Sequence, residues 1–142
     1  MTLIPKNPKY RERIEEMLTR QNFMHEMKFN LSRIEAGTTE GLLEVLPMHL
    51  QQDGFLHGGV IATLADIVAG FSAFTLVAAE QKVVTGEIKV SFFSKGEGKK
   101  IKAVGRVIKP GKKINFCEAE IYSIENDGER LIAKATTSMI TI

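Results

Sequence analysis

The stretch GFLHGGVIATLADIVAG, Gly54 to Gly70, places one carboxylate, Asp66, in the middle of an otherwise apolar run. Taking an unpaired charge out of water costs several kcal/mol, so the position calls for a reason. A carboxylate so placed can activate a water molecule or attack a carbonyl carbon itself, and the residues leave both open. Near the start of the same run lies Gly58. If the run is a helix, its first N–H groups lack partners and carry the positive end of the dipole, and glycine there lets a carbonyl oxygen approach closely. Such an N–H could hold the oxyanion that forms when a carbonyl is attacked. Along one helix, however, Gly58 and Asp66 lie about 12 Å apart, too far to act on one carbonyl within one chain. A bland role for Asp66, bonding a neighbouring polar group, competes with this one. The run offers no lysine or arginine as that partner.

The elements that position these residues follow from periodicity. Asn7 before Pro8 marks a helix start, and Tyr10, Ile14, Met17 and Leu18 recur at helical spacing. From Met27 the period becomes two, with Met27, Phe29 and Leu31 on one face. EAGTTEG supplies a turn and GLLEVLP a second strand ended by Pro47. A long helix is expected from about Gly58 to Ala79, apolar nearly all round and therefore enclosed. Ile88, Val90 and Phe92 then alternate with polar neighbours, and the turns KPGKK and ENDGER separate strands near Lys100 to Ile108, Ile114 to Ser123 and Leu131 to Ile142. In the strand from Ile114, the inward phase is expected to slip between Phe116 and Cys117 through a bulge. The order is β-β-α-β-β-β-β behind an extra N-terminal helix.

One curved antiparallel sheet wrapped around one long central helix satisfies these patterns, an α+β arrangement that resembles the hotdog fold. The resemblance sharpens at His57-Gly58-Gly59, followed by Val60 to Ala65 and Asp66. This spacing, opening an enclosed helix and followed by a strand meander, resembles the acyl-CoA thioesterases of the hotdog superfamily, particularly the phenylacetate-pathway type. The resemblance covers most of the chain from Met27 onward. It implies thioester hydrolysis within one domain spanning 1–142, of which 1–25 is an N-terminal helical segment. It also implies a homodimer, and further a dimer of dimers, in which Gly58 of one subunit faces Asp66 of the other. Gln51 falls where relatives carry an amide that orients the water or the carbonyl, with Gln52 its competitor. Thr85 matches a Ser or Thr that helps hold the attacking water. His57 supports the helix start and sometimes lies near the thioester. Where some relatives place a hydroxyl one turn after the acid, this chain has Gly70.

Composition bounds the rest. The 142 residues suit one domain, with 44% hydrophobic and 25% charged residues and a formal net charge of only +2. That balance argues against a nucleic-acid surface. Cys117 is the only cysteine, and His25, His49 and His57 lack metal-site spacing, so no disulfide, metal or cofactor is expected. The charged N-terminus does not read as a signal peptide, and Asp66 argues against a membrane span over Val60 to Ala79, which leaves a cytoplasmic protein as the expectation. Phe55, Phe71, Phe74 and the methionines could line an aryl or a medium-chain acyl pocket, and the lysines of SKGEGKK with Lys109, Lys112 and Lys113 could meet CoA phosphates. The competing functions are a non-catalytic acyl-CoA-binding module and a hydratase or dehydratase on the same fold.

Overall fold

A computed structural model describes residues 2–142. In chain order the elements are α1 (Tyr10–Leu18), α2 (Asn22–Met27), β1 (Phe29–Glu35), β2 (Thr38–Glu44), α3 (Gly58–Phe74), β3 (Val83–Phe92), β4 (Lys100–Lys109), β5 (Ile114–Glu125) and β6 (Gly128–Thr141). A 3-10 turn, Pro47–His49, precedes α3. The strands form one six-stranded antiparallel sheet in the order β1-β2-β4-β5-β6-β3. The strand that follows the helix therefore sits at one edge, beyond β6.

Alternation puts Cys117, Ala119, Ile121 and Ser123 of β5 toward the helix, while Glu118 and Glu120 face outward and meet Lys134 and Arg106. The helix lies directly on the sheet. A methyl group at Gly105 of β4 would stand 2.3 Å from the Val68 carbonyl oxygen, so only glycine admits the helix backbone at this depth. Hydroxyls fasten β2 to α3 beside that contact: Thr39 Oγ1 donates to Val68 O at 2.8 Å, the Thr39 N–H donates to Ser72 Oγ at 3.0 Å, and the Gly37 N–H donates to Thr75 Oγ1 at 2.7 Å. These groups are buried, and their mutual bonds avoid the cost of stranded polar atoms.

Several boundaries differ from expectation. The helix stops at Phe74, not Ala79. Leu76 and Val77 remain buried in the turn that follows, and the carbonyls of Leu76 and Ala78 accept from the Lys6 N–H and from Arg13 Nη1. Apolarity marks burial there, not helix. Met27 closes the short helix α2, and Lys28, in the left-handed region at φ 60°, separates it from β1. The second strand starts at Thr38 and ends at Glu44, and the last starts at Gly128. No phase slip occurs at Phe116: Ile114 and Phe116 point outward and are exposed, and the bulge lies on the facing strand between Val107 and Lys109. Among the described residues no helix is long and apolar enough to cross a membrane.

Candidate functional site

The sheet does not cover α3 on every side. Ala62, Thr63, Asp66, Ile67, Gly70 and Phe74 form a partly exposed stripe at three- and four-residue spacing, which corrects the expectation of a fully enclosed helix. Asp66 lies in the middle of this open stripe. Edge strand β3 brings Thr85 beside it, and Thr85 Oγ1 donates to Asp66 Oδ1 at 2.6 Å. The register explains why Thr85 can turn toward the helix: it pairs with Met139, whose side chain is buried in the core, and a bulge follows before Glu87. Among the described residues no other donor reaches the Asp66 carboxylate. Its second oxygen is thus left to a ligand or water.

Asp66 and Thr85 stand at one end of a cavity of about 270 Å³ whose walls include Met17, Gln21, Phe71 and Phe74. Among the described residues no lysine or arginine lines it, so Asp66 is not engaged in an ion pair there. Met17 and Gln21 come from the N-terminal helical segment; Met17 is among the methionines the sequence offered as pocket lining, whereas Gln21 was not singled out. No local signal marks Gln21, because the contact depends on how that segment packs against the groove.

The other end of α3 is built by a histidine pair. His57 caps the helix, its Nδ1 accepting from the Gly59 N–H at 2.8 Å, which puts the proton of a neutral ring on Nε2. The His57 N–H donates to His49 O at 2.8 Å. His49 is fully buried: Nδ1 accepts from the Leu46 N–H at 2.9 Å and Nε2 donates to Met27 O at 2.7 Å. Both ring nitrogens of His49 are engaged, and they fix the loop that delivers Gly58. The sequence did not single out His49, and a lone histidine in a polar loop carries no mark of this role.

At the helix start the Gly58 N–H meets no acceptor among the described residues. Gly58 lines a second cavity, of about 400 Å³, together with Gln51, Phe55, Phe92, Ser94 and Lys95. Gln51 Oε1 accepts from the Asp53 and Phe55 N–H groups, which rigidifies the loop and turns the amide NH2 into the free end. Gln52 is exposed and bonds Asp53 instead, at 3.1 Å. Lys95 lies 4.7 Å from the Phe55 ring centroid and 3.2 Å from Glu97, the lysine of SKGEGKK nearest this cavity wall.

The arrangement therefore brings Asp66 to Thr85 and Gly58 to Gln51, but keeps the two pairs at separate cavities. One pair can activate water, the other can donate hydrogen bonds to an oxyanion. The thiol of Cys117 is no rival nucleophile, since burial pushes it up to about 12. Among the described residues no cluster of His, Cys, Asp and Glu could hold a metal.

Comparison with known proteins places this geometry among relatives. Residues 53–129 match the family described as the thioesterase superfamily. A proposed esterase of Pseudomonas aeruginosa is 30% identical over 95 residues, 66% of this chain and 68% of that one. The crystal structure of a thioesterase family protein from Silicibacter pomeroyi superposes with a TM-score of 0.91 at 29% identity, covering 94% of this chain and 98% of its own. The E. coli PaaI protein, from the phenylacetic acid degradation operon, shares the fold with a TM-score of 0.84 at 16% identity over 96% of both chains.

Proposed function

Since the chain belongs to the thioesterase superfamily and is a thioester hydrolase, we propose that it hydrolyses acyl-CoA esters at a site shared by two subunits, with Asp66 as general base. The observation that carries this reading is the division of the chemistry between the ends of α3. Asp66, oriented by Thr85, and the free Gly58 N–H are complementary halves of one hydrolytic site, yet about 12 Å of helix separates them. Antiparallel pairing of two copies brings Asp66 of each to Gly58 of the other. Strand β3 supports the pairing, because its 10 residues form an unpaired edge next to Asp66 and long open edges invite a second chain.

In this mechanism the thioester carbonyl rests on the partner's Gly58 N–H, with the Gln51 amide beside it. Thr85 holds one oxygen of Asp66, and the other takes a proton from the attacking water. The oxyanion then collapses and expels CoA thiolate. The apolar wall of Phe71, Phe74 and Val83 receives the acyl group. Aryl and medium-chain acyl groups both suit that wall.

Release of CoA thiol from a panel of aryl and aliphatic acyl-CoAs tests the proposal, run in parallel on wild type and Asp66→Asn. Turnover by the wild type and a loss of about 10²-fold to 10⁴-fold in the variant are expected. A folded Asp66→Asn protein that keeps most of its activity removes Asp66 from the mechanism. Binding of a thioether analogue with no turnover of any ester makes the protein a binding module. Single-turnover hydrolysis in ¹⁸O water puts label in Asp66 only if the carboxylate is the nucleophile and water opens the mixed anhydride at the Asp66 carbon, whereas trapping of an acylated Asp66 identifies the nucleophile whichever carbonyl water attacks.

A further inference from the structure

We propose that the acyl group carries an anionic far end, so that the preferred substrates are thioesters of ω-carboxylated chains; the proposal rests on the thioesterase reading above. The cavity beside Asp66 does not close at its far wall. It runs into a neighbouring groove of about 480 Å³ that shares Met17, Gln21, Phe74, Val83 and Val84 with it, and whose outer lining adds Arg13, Glu16, Arg20, Lys82 and Ile142. Glu16 is occupied by Arg20 through two hydrogen bonds, at 2.9 and 2.7 Å. Among the described residues Arg13 and Lys82 have no carboxylate within salt-bridge distance. Arg13 and Lys82 thus give the mouth two cationic side chains without an ion-pair partner, beside Ile142, whose O accepts from the Lys82 N–H at 2.7 Å.

Arg13 is held in place before any ligand arrives. Nη1 donates to Ala78 O at 2.9 Å, Nη2 donates to Gln81 O, and the guanidinium carbon lies 5.2 Å from the centroid of the Phe74 ring. A guanidinium fixed this way has donors to spare and loses little freedom on binding an anion. Lys82 lines the same groove from the chain that enters β3, one residue before the strand begins at Val83.

The length of the groove sets the length of the chain it fits. From Asp66 to Phe74 the helix advances about 12 Å, and from Thr85 back to Lys82 the strand covers about 10 Å. An extended alkyl chain advances about 1.3 Å per bond, given C–C bonds of roughly 1.5 Å. A carbonyl at Asp66 and a tail of about eight carbons put an ω-carboxylate at Arg13 and Lys82. The methylenes then lie on Phe71, Phe74, Val83 and Val84. A plain alkyl chain of that length would leave its methyl end among cations, where it gains nothing. The same cations could hold a CoA phosphate if the thioester entered by this mouth, and the test separates the two anions.

The experiment compares kcat/KM for octanoyl-CoA and octanedioyl-CoA in wild type and Lys82→Glu, together with the N-acetylcysteamine esters of the same two acids, which lack phosphate. The wild type should favour the dicarboxylic chain by about tenfold on either carrier, less at high salt, and Lys82→Glu should lower that ratio about tenfold. A wild-type ratio at or below one overturns the proposal. It is equally overturned if Lys82→Glu slows both CoA esters alike and spares both N-acetylcysteamine esters, since the cations then serve CoA. Hydrolysis of no ester at all refutes the thioesterase reading instead. The tail proposal is then decided on the affinities of the two CoA thioether analogues: tighter binding of the ω-carboxylated one sustains it, and equal binding ends it.

Discussion

At the scale of single residues, the carboxylate of Asp66 is defined by what it lacks as much as by what it has: among the described residues it meets no cation and one hydroxyl donor, and its second oxygen is open. In the proposed mechanism Thr85 acts through Asp66, as a positioning residue. A hydrogen bond to a charged group is worth about 1.5–3 kcal/mol, so losing the orientation it gives should lower kcat by roughly 10- to 100-fold. Thr85→Ala is expected to show that loss with KM little changed, and Thr85→Ser, which keeps the hydroxyl, to recover most of the rate. Equal rates in the alanine and serine variants would leave Thr85 as a strand residue only. Asp66 was legible in the sequence because a carboxylate inside an apolar run is costly, and Gly58 because HGG opens that run. Gln21 was not, since its approach to Asp66 spans about forty-five residues of chain and is set only by tertiary packing.

At the scale of elements, the position of Asp66 depends on how deeply α3 sits in the sheet, and Gly105 sets that depth. Any side chain there must displace the backbone at Val68, where a Cβ would come within 2.3 Å of the carbonyl oxygen. Gly105→Val is expected to cost about 3 kcal/mol or more, seen as a lower urea midpoint. An unchanged midpoint would mean that the helix does not rest on β4 as described. Periodicity together with the turn residues of KPGKK and ENDGER revealed all six strands, and continuous apolarity revealed the helix. Both failed at ends and at turns. The residues after Phe74 are as apolar as the helix itself, and α2 has only 6 residues, too few to impose a period. Ile114 and Phe116 misled for a related reason. Both are apolar, but exposed on the outer face, so hydrophobicity gave the wrong phase.

At the scale of the whole molecule, one chain holds two half-sites facing different cavities, and the sheet ends in an open edge beside one of them. The proposed shared site would join these features, and pairing of this kind is what the family resemblance carried by HGG and Asp66 implies. The most direct test is to mix two crippled subunits. Asp66→Asn removes the base. Gly58→Pro removes the N–H at the first helical position, where proline is tolerated, and the extended His57 before it, at ψ 134°, suits a following proline. Each variant alone should be nearly inactive. When equal amounts are unfolded together and refolded, half of the dimers are mixed and each mixed dimer carries one intact site, so about a quarter of wild-type activity should return. A mixture no more active than its components, from protein that has demonstrably exchanged subunits, would contradict the shared site.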